Sequence, residues 1–164
     1  MKNLLKWTGF SVAALASVAL MAYACIYLAS EREVGRAFAA PAVTKLVIPT
    51  DAPAIAEGER IARLAGCLHC HGDSLQGSVV DDIPHLVRLV APNISVMLPE
   101  YSDEELVTML RTGVKRDGKS VLFMPSEMYR HLADEDVARL VAWLRTMPAR
   151  PSGVHEHTQL QIGI

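Results

Sequence analysis

Cys67-Leu68-His69-Cys70-His71 is the stretch from which the rest of the chain is read. It is a C-x-x-C-H run, the spacing of c-type haem attachment. Two thiols three residues apart add across the two vinyl groups of one porphyrin and become thioethers. A histidine directly after the second cysteine then lies under the iron and offers it a nitrogen. Two other chemistries use paired cysteines. A thioredoxin-like dithiol needs a βαβ setting, and no such alternation flanks this run. A structural zinc needs four ligands, commonly a second pair, whereas His85 and His131 stand singly. The run therefore predicts one covalent haem c on Cys67 and Cys70, with His71 as iron ligand.

Composition agrees with a buried cofactor. Apolar residues make up 51% of the 164, yet aromatics are only 5%, so the chain is short of large core side chains. A porphyrin is a large apolar element that fills such a deficit. The net charge of −2 excludes a nucleic-acid footprint by bulk charge. The third cysteine, Cys25, stands alone in an apolar stretch, so no disulfide framework is expected.

That apolar stretch, residues 7–30, holds no charged residue. As a helix of about 24 residues it is about 36 Å long, against a hydrocarbon core of about 30 Å. A signal peptide's apolar region is about 7–15 residues, so an uncleaved membrane anchor over residues 1–30 is expected. Lys2 and Lys6 precede it and favour the cytoplasmic side, which exports the remainder. A c-type haem domain on the periplasmic face of a bacterial inner membrane needs that topology, and the lysines and the haem motif reach it independently. Gly9, Ala13 and Ser17, four apart, make a stripe on which a second helix can pack closely, although the whole span is rich in alanine.

Residues 31–50 read as a linker with Pro41 and Pro49. Fully extended it reaches about 66 Å at about 3.3 Å per residue, and its apolar part, Val43 to Ile48, is suited to a partner surface. Residues 51–150 read as the folded domain. Asp51 caps a helix with Pro53 in its first turn, running to about Gly66. Gly72 to Gly77 is a turn-rich loop, Leu86 to Val90 a short apolar run, and Pro92 to Ser95 another loop. Ser102-Asp103-Glu104-Glu105 is a capping box before a helix that ends at Gly113. Lys115 to Lys119 forms a basic loop. A last helix, from about Asp134 to Thr146, places Val137, Leu140, Val141 and Leu144 on one face and stops at Pro148. Residues 151–164 read as an extended, solvated tail, because His155 and His157 are too few for a closed metal site.

A haem held through one histidine has a sixth position. Methionine there favours electron transfer and raises the potential. Met109 and Met147 lie on or at the end of helices and read as core, and Met97 is a further candidate. Met124 precedes Pro125, which holds its loop extended; Met128 is its main rival.

Taken together, Gly58 in an opening helix, the C-x-x-C-H run, Met124-Pro125 and a closing helix with Trp143 resemble the class I cytochrome c family over residues 51–150. The resemblance is nearest to the cytochrome modules of membrane-bound alcohol and aldehyde dehydrogenases, in Pro92-Asn93-Ile94-Ser95, Ser102 to Glu105, Tyr129-Arg130-His131-Leu132 and Trp143-Leu144-Arg145. Those subunits usually carry several haem modules, whereas this chain has one C-x-x-C-H. The resemblance implies a mainly α fold, first and last helices crossing at Gly58 and near Trp143. It also implies Met124 as second axial ligand and a backbone carbonyl accepting the proximal histidine's N–H, for which Pro84 and Pro92 both mark loops. Asn93, Arg88 and Tyr101 are candidates for propionate contacts.

The expected function is that of a membrane-anchored monohaem carrier of single electrons. It would be a subunit of, or a shuttle between, respiratory, photosynthetic or dehydrogenase complexes. The chain shows no nucleophile–base pair and no phosphate loop, so it is not expected to be an enzyme itself. Its expected partners are a membrane protein complex and the lipid bilayer, with no nucleic acid. A haem enzyme or gas sensor would need a displaceable sixth ligand, which Met124 argues against. A mainly structural haem subunit is the third possibility.

Overall fold

Asp51 and Pro53 start the first helix of the folded domain as the sequence predicts. In the computed structural model, which describes residues 2–84, 87–154 and 158–160, the Asp51 carboxylate accepts from the Ala54 amide at 3.0 Å. The helices are α1 (Lys2–Val34), α2 (Ala52–Leu64), α3 (Cys67–His71), α4 (Asp103–Thr112), α5 (Ser126–Tyr129) and α6 (Asp134–Thr146). Three strands, β1 (Ser78–Ile83), β2 (Val87–Ala91) and β3 (Gln159–Leu160), form a small antiparallel sheet in the order β1-β2-β3. The protein is mainly helical.

The core lies between α2 and α6. Both helices repeat apolar residues every three or four positions, which gives each one buried stripe. α6 buries Val137, Ala138, Leu140, Val141, Ala142, Trp143 and Leu144, and α2 buries Gly58, Ile61 and Ala62. Burial of each large aliphatic side chain stabilises by about 1.5–3 kcal/mol. The helices cross at Gly58, where a Cβ would overlap the Arg139 carbonyl and lie 2.9 Å from Trp143 Cβ. Only glycine permits that approach, and it is the crossing expected from the family resemblance.

α4 packs against α5 and α6. Its capping box is complete: the Glu105 amide donates to Ser102 Oγ at 3.1 Å and the Ser102 amide to Glu105 Oε2 at 2.8 Å. Two arginines fix the chain around it. Arg145 donates to the carbonyls of Leu98 and Tyr101 at 2.5 and 2.6 Å and pairs with Asp103 at 2.7 Å. Arg111 donates to the carbonyls of Tyr129, Arg130 and Leu132 and pairs with Asp134 at 2.6 Å. The predicted basic loop is a tight turn in which Arg116 pairs with Glu100 at 3.0 Å and covers the Tyr101 ring.

Within α1, Lys6–Glu33 is apolar and long enough to cross a membrane, and none of it is buried against the rest of the protein. It fits a single-pass anchor. Two segments differ from expectation. The apolar part of the linker lies along the protein's own domain instead of a partner. Val43, Leu46 and Ile48 pack against the core while Val47, 91% exposed, points away. Its start is tied by the Phe38 amide to the Gly118 carbonyl at 2.7 Å. The tail is extended but not solvated throughout, because β3 pairs with β2 and Thr158 Oγ1 bonds the Val90 backbone N–H and C=O at 3.1 Å. His155 and His157 lie outside the described residues, as does His85.

Candidate haem-attachment site

α3 is one helical turn. Gly66 opens it and Gly72 closes it, the Gly72 amide donating to the Leu68 carbonyl at 2.9 Å. Residues three apart on a helix share a face, so Cys67 and Cys70 stand together, both half-buried and both reduced. Leu68, between them, points into the core. Burial pushes the Cys67 thiol above its ordinary pKa. A redox dithiol requires the opposite, a lowered thiol. Among the described residues no group of three or more His, Cys, Asp or Glu converges to hold a metal ion.

His71 ends the turn. Its Nδ1 lies 2.9 Å from the Pro92 carbonyl oxygen. A carbonyl only accepts, so Nδ1 carries the proton and Nε2 keeps its lone pair. Of the two loops flagged in the sequence, it is Pro92 rather than Pro84 that provides this carbonyl. Burial lowers the imidazole's pKa below its ordinary value, with the Pro92 bond acting against that. Burial thus favours the neutral ring, the form that ligates iron. The Gly77 amide donates to the His71 carbonyl at 2.8 Å, and Ser78 Oγ to the Cys70 carbonyl at 2.5 Å. Leu75, fully buried at φ 57°, turns the chain between these anchors.

Tyr129 closes the site from the other side. Its hydroxyl donates to the Ala65 carbonyl at 3.0 Å, just before α3. Burial, with the neighbouring cysteines, holds its phenol far above the ordinary range. Five residues earlier, Met124 is half-buried and packs on the core. Met128 is 66% exposed, so the main rival points to solvent. Met97, Met109 and Met147 also pack at the core edge. The propionate candidates are otherwise engaged: Asn93 with Arg150 and Ser95, Arg88 with Asp82, and Tyr101 beneath Arg116. In the sequence, Tyr129 and Ser95 stand only as part of the family resemblance and Leu75 only as part of a turn-rich loop. Their roles are not legible there, because each acts through a contact distant along the chain.

Two reduced thiols on one helical face, followed by a neutral imidazole with Nε2 free, make the donor set for a covalent haem. The family model for cytochrome c matches residues 55–148. The chain belongs to the cytochrome c family. A c-type cytochrome holds its haem covalently and transfers electrons. This cytochrome is similar to the fructose dehydrogenase cytochrome subunit of Gluconobacter japonicus, 31% identical over 104 residues, covering 57% of this chain and 21% of that one. The chain therefore spans about a fifth of that relative's length. No solved structure matches it.

Proposed function

We propose that this cytochrome is a membrane-anchored, monohaem electron carrier acting as a subunit of, or next to, a membrane-bound oxidoreductase complex, and is not itself catalytic. Residues 1–30 anchor it, residues 31–50 connect, residues 51–150 form the haem domain, and residues 151–164 follow it. Cys67 and Cys70 hold the haem, and His71 and Met124 are its axial ligands. When bound, the haem supplies a one-electron iron couple in a dry setting. The observation that carries this reading is the His71 Nδ1–H···O=C bond to Pro92, at 2.9 Å. It fixes the ring's tautomer and plane and strengthens Nε2 as a donor. Met124 brings a soft thioether, which favours the reduced state and raises the potential. The dehydrogenase subunit among its relatives supports an oxidoreductase partner. Lys2 and Lys6 support a haem domain on the periplasmic side of a bacterial inner membrane.

The test is spectroscopic. The reduced, unaltered protein binds carbon monoxide poorly if Met124 occupies the sixth position. Ready binding overturns the carrier reading in favour of a haem enzyme or gas sensor. Purification in mild detergent, with the co-purifying chains identified, names the partner complex. Recovery of the chain alone under all mild conditions argues for a shuttle instead of a subunit.

A further inference from the structure

Among the described residues the buried polar side chains are Asn93 and Ser95, 4% and 0% exposed. They sit immediately after Pro92, whose carbonyl holds His71. Buried polar groups are costly unless satisfied, and these two are satisfied by one short segment that follows α6. Asn93 Nδ2 donates to the Arg150 carbonyl at 2.7 Å, Ser95 Oγ to Asn93 Oδ1 at 2.6 Å, and the Arg150 amide to Ser95 Oγ at 3.0 Å. The same segment then turns onto the other loop. The Gly153 amide donates to the Arg150 carbonyl at 3.1 Å and the Val154 amide to the Gln76 carbonyl at 2.8 Å. At Gly153 a Cβ would overlap the Gln76 carbonyl oxygen and lie 2.9 Å from Asn93 Cγ. The loops are also bonded directly, the Ser95 amide to the Leu75 carbonyl at 3.1 Å.

The two loops closed by this segment are those that carry the two ends of the His71–Pro92 bond. Residues 71–77 lead away from the imidazole, and residues 92–95 lead away from the carbonyl. We infer that Arg150–Val154 is a clasp, with Asn93, Ser95 and Gly153 as positioning residues, that sets the strength of the His71 Nδ1–H···O=C bond. The inference rests on the reading of His71 as an iron ligand. The clasp acts on the iron through the imidazole. A tight Nδ1 hydrogen bond gives the ring more basic character and makes Nε2 the stronger donor. A stronger donor favours the oxidised state, so the clasp lowers the potential relative to an unclasped domain. Its hydrogen bonds run to Gln76, Asn93 and Ser95, so its effect can be read separately from attachment.

Two variants of the full-length holoprotein in detergent test this: Gly153→Val, which wedges the clasp open, and truncation after Ala149, which removes it together with the residues beyond. Each is read by reduction potential, by Nδ1–H exchange of His71 in the reduced state, and by the oxidised NMR spectrum. The potential is expected to rise in both. Exchange is expected to accelerate by about tenfold, the factor equivalent to about 1.4 kcal/mol. Haem attachment and the sulfur-to-iron band should be retained. A merely structural clasp would lower stability and leave potential and exchange rate unchanged, and that result overturns the proposal. If both variants fail to fold, Val154→Pro, which deletes the donor to Gln76 without a side-chain wedge at Gly153, carries the same readouts, and an unchanged potential and exchange rate there overturn the proposal equally. In the unaltered oxidised protein, His71 resonances without a paramagnetic shift would overturn the ligand reading and the clasp with it. A normal shift with unaltered exchange in the variants overturns the clasp alone.

Discussion

The His71 side of the site and the Met124 side are held in different ways. His71 lies in a lattice of bonds between segments distant along the chain: to Pro92, and through its neighbours to Ser78, Ser95 and residues 150–154. Met124 lies in a loop bonded mostly to itself. Its amide reaches the Val121 carbonyl at 3.4 Å, the Ser126 amide donates back to Met124 at 2.8 Å, and Leu122 sits at a strained φ of 53°. Val121 to Gly113 anchors the start of that loop and Arg111 the far end. The first side is fixed by tertiary structure, and the second by two ends with an adjustable middle. In the proposed ligation, then, the histidine side is the last to yield on unfolding and the methionine side the first.

The comparison breaks most completely on the fixed side. Cys67→Ser or Cys70→Ser is expected to weaken or abolish covalent attachment, read as colour passing to the organic phase on acid–acetone extraction; the unaltered protein keeps its colour. Met124→Ala should be milder. Attachment survives, the sulfur-to-iron band disappears, the potential falls and the reduced form admits carbon monoxide. Its cost in stability is about 1–2 kcal/mol, below the range for a fully buried methionine. In a urea titration of the unaltered protein, that band should vanish before the helical signal falls. Coincident transitions would show that the two sides open as one unit. Tyr129→Phe removes the hydroxyl that ties the chain beyond the Met124 loop to Ala65, and should cost about 1 kcal/mol while bringing loss of the band to lower urea. Met128→Ala is the smallest change, within about 0.5 kcal/mol and with the band intact.

What was legible in the sequence follows the same division between local and distant. The Asp51 cap, the Ser102–Glu105 capping box, the α6 stripe and the C-x-x-C-H turn are all local signals, and each stands where it was expected. The strands were not legible. Asp81 and Asp82 are poor strand formers, β1 is mostly exposed, and the hairpin is interrupted by an irregularity between Val79 and Asp81. The pairing of Arg88 with Gln159 joins residues far apart, which no periodicity encodes. The choice of Pro92 over Pro84 had the same limit: both prolines mark loops, and only the fold decides which carbonyl meets the ring.

The docked linker bears on encounter rates. On the proposed anchored reading, residues 31–50 as free chain would let the haem domain sweep about 66 Å from the membrane. With α1 helical to Val34 and the chain captured at Ala37 and Phe38 by Gly118 and Lys119, the free lever is about three residues, or about 10 Å. Swept volume scales with the cube of that radius, so it shrinks by roughly two to three orders of magnitude, and the effective concentration facing a neighbour in the same bilayer rises in proportion. On the proposed anchored reading, an electron donor or acceptor would then be met within a thin layer above the lipid headgroups and in a narrow range of orientations.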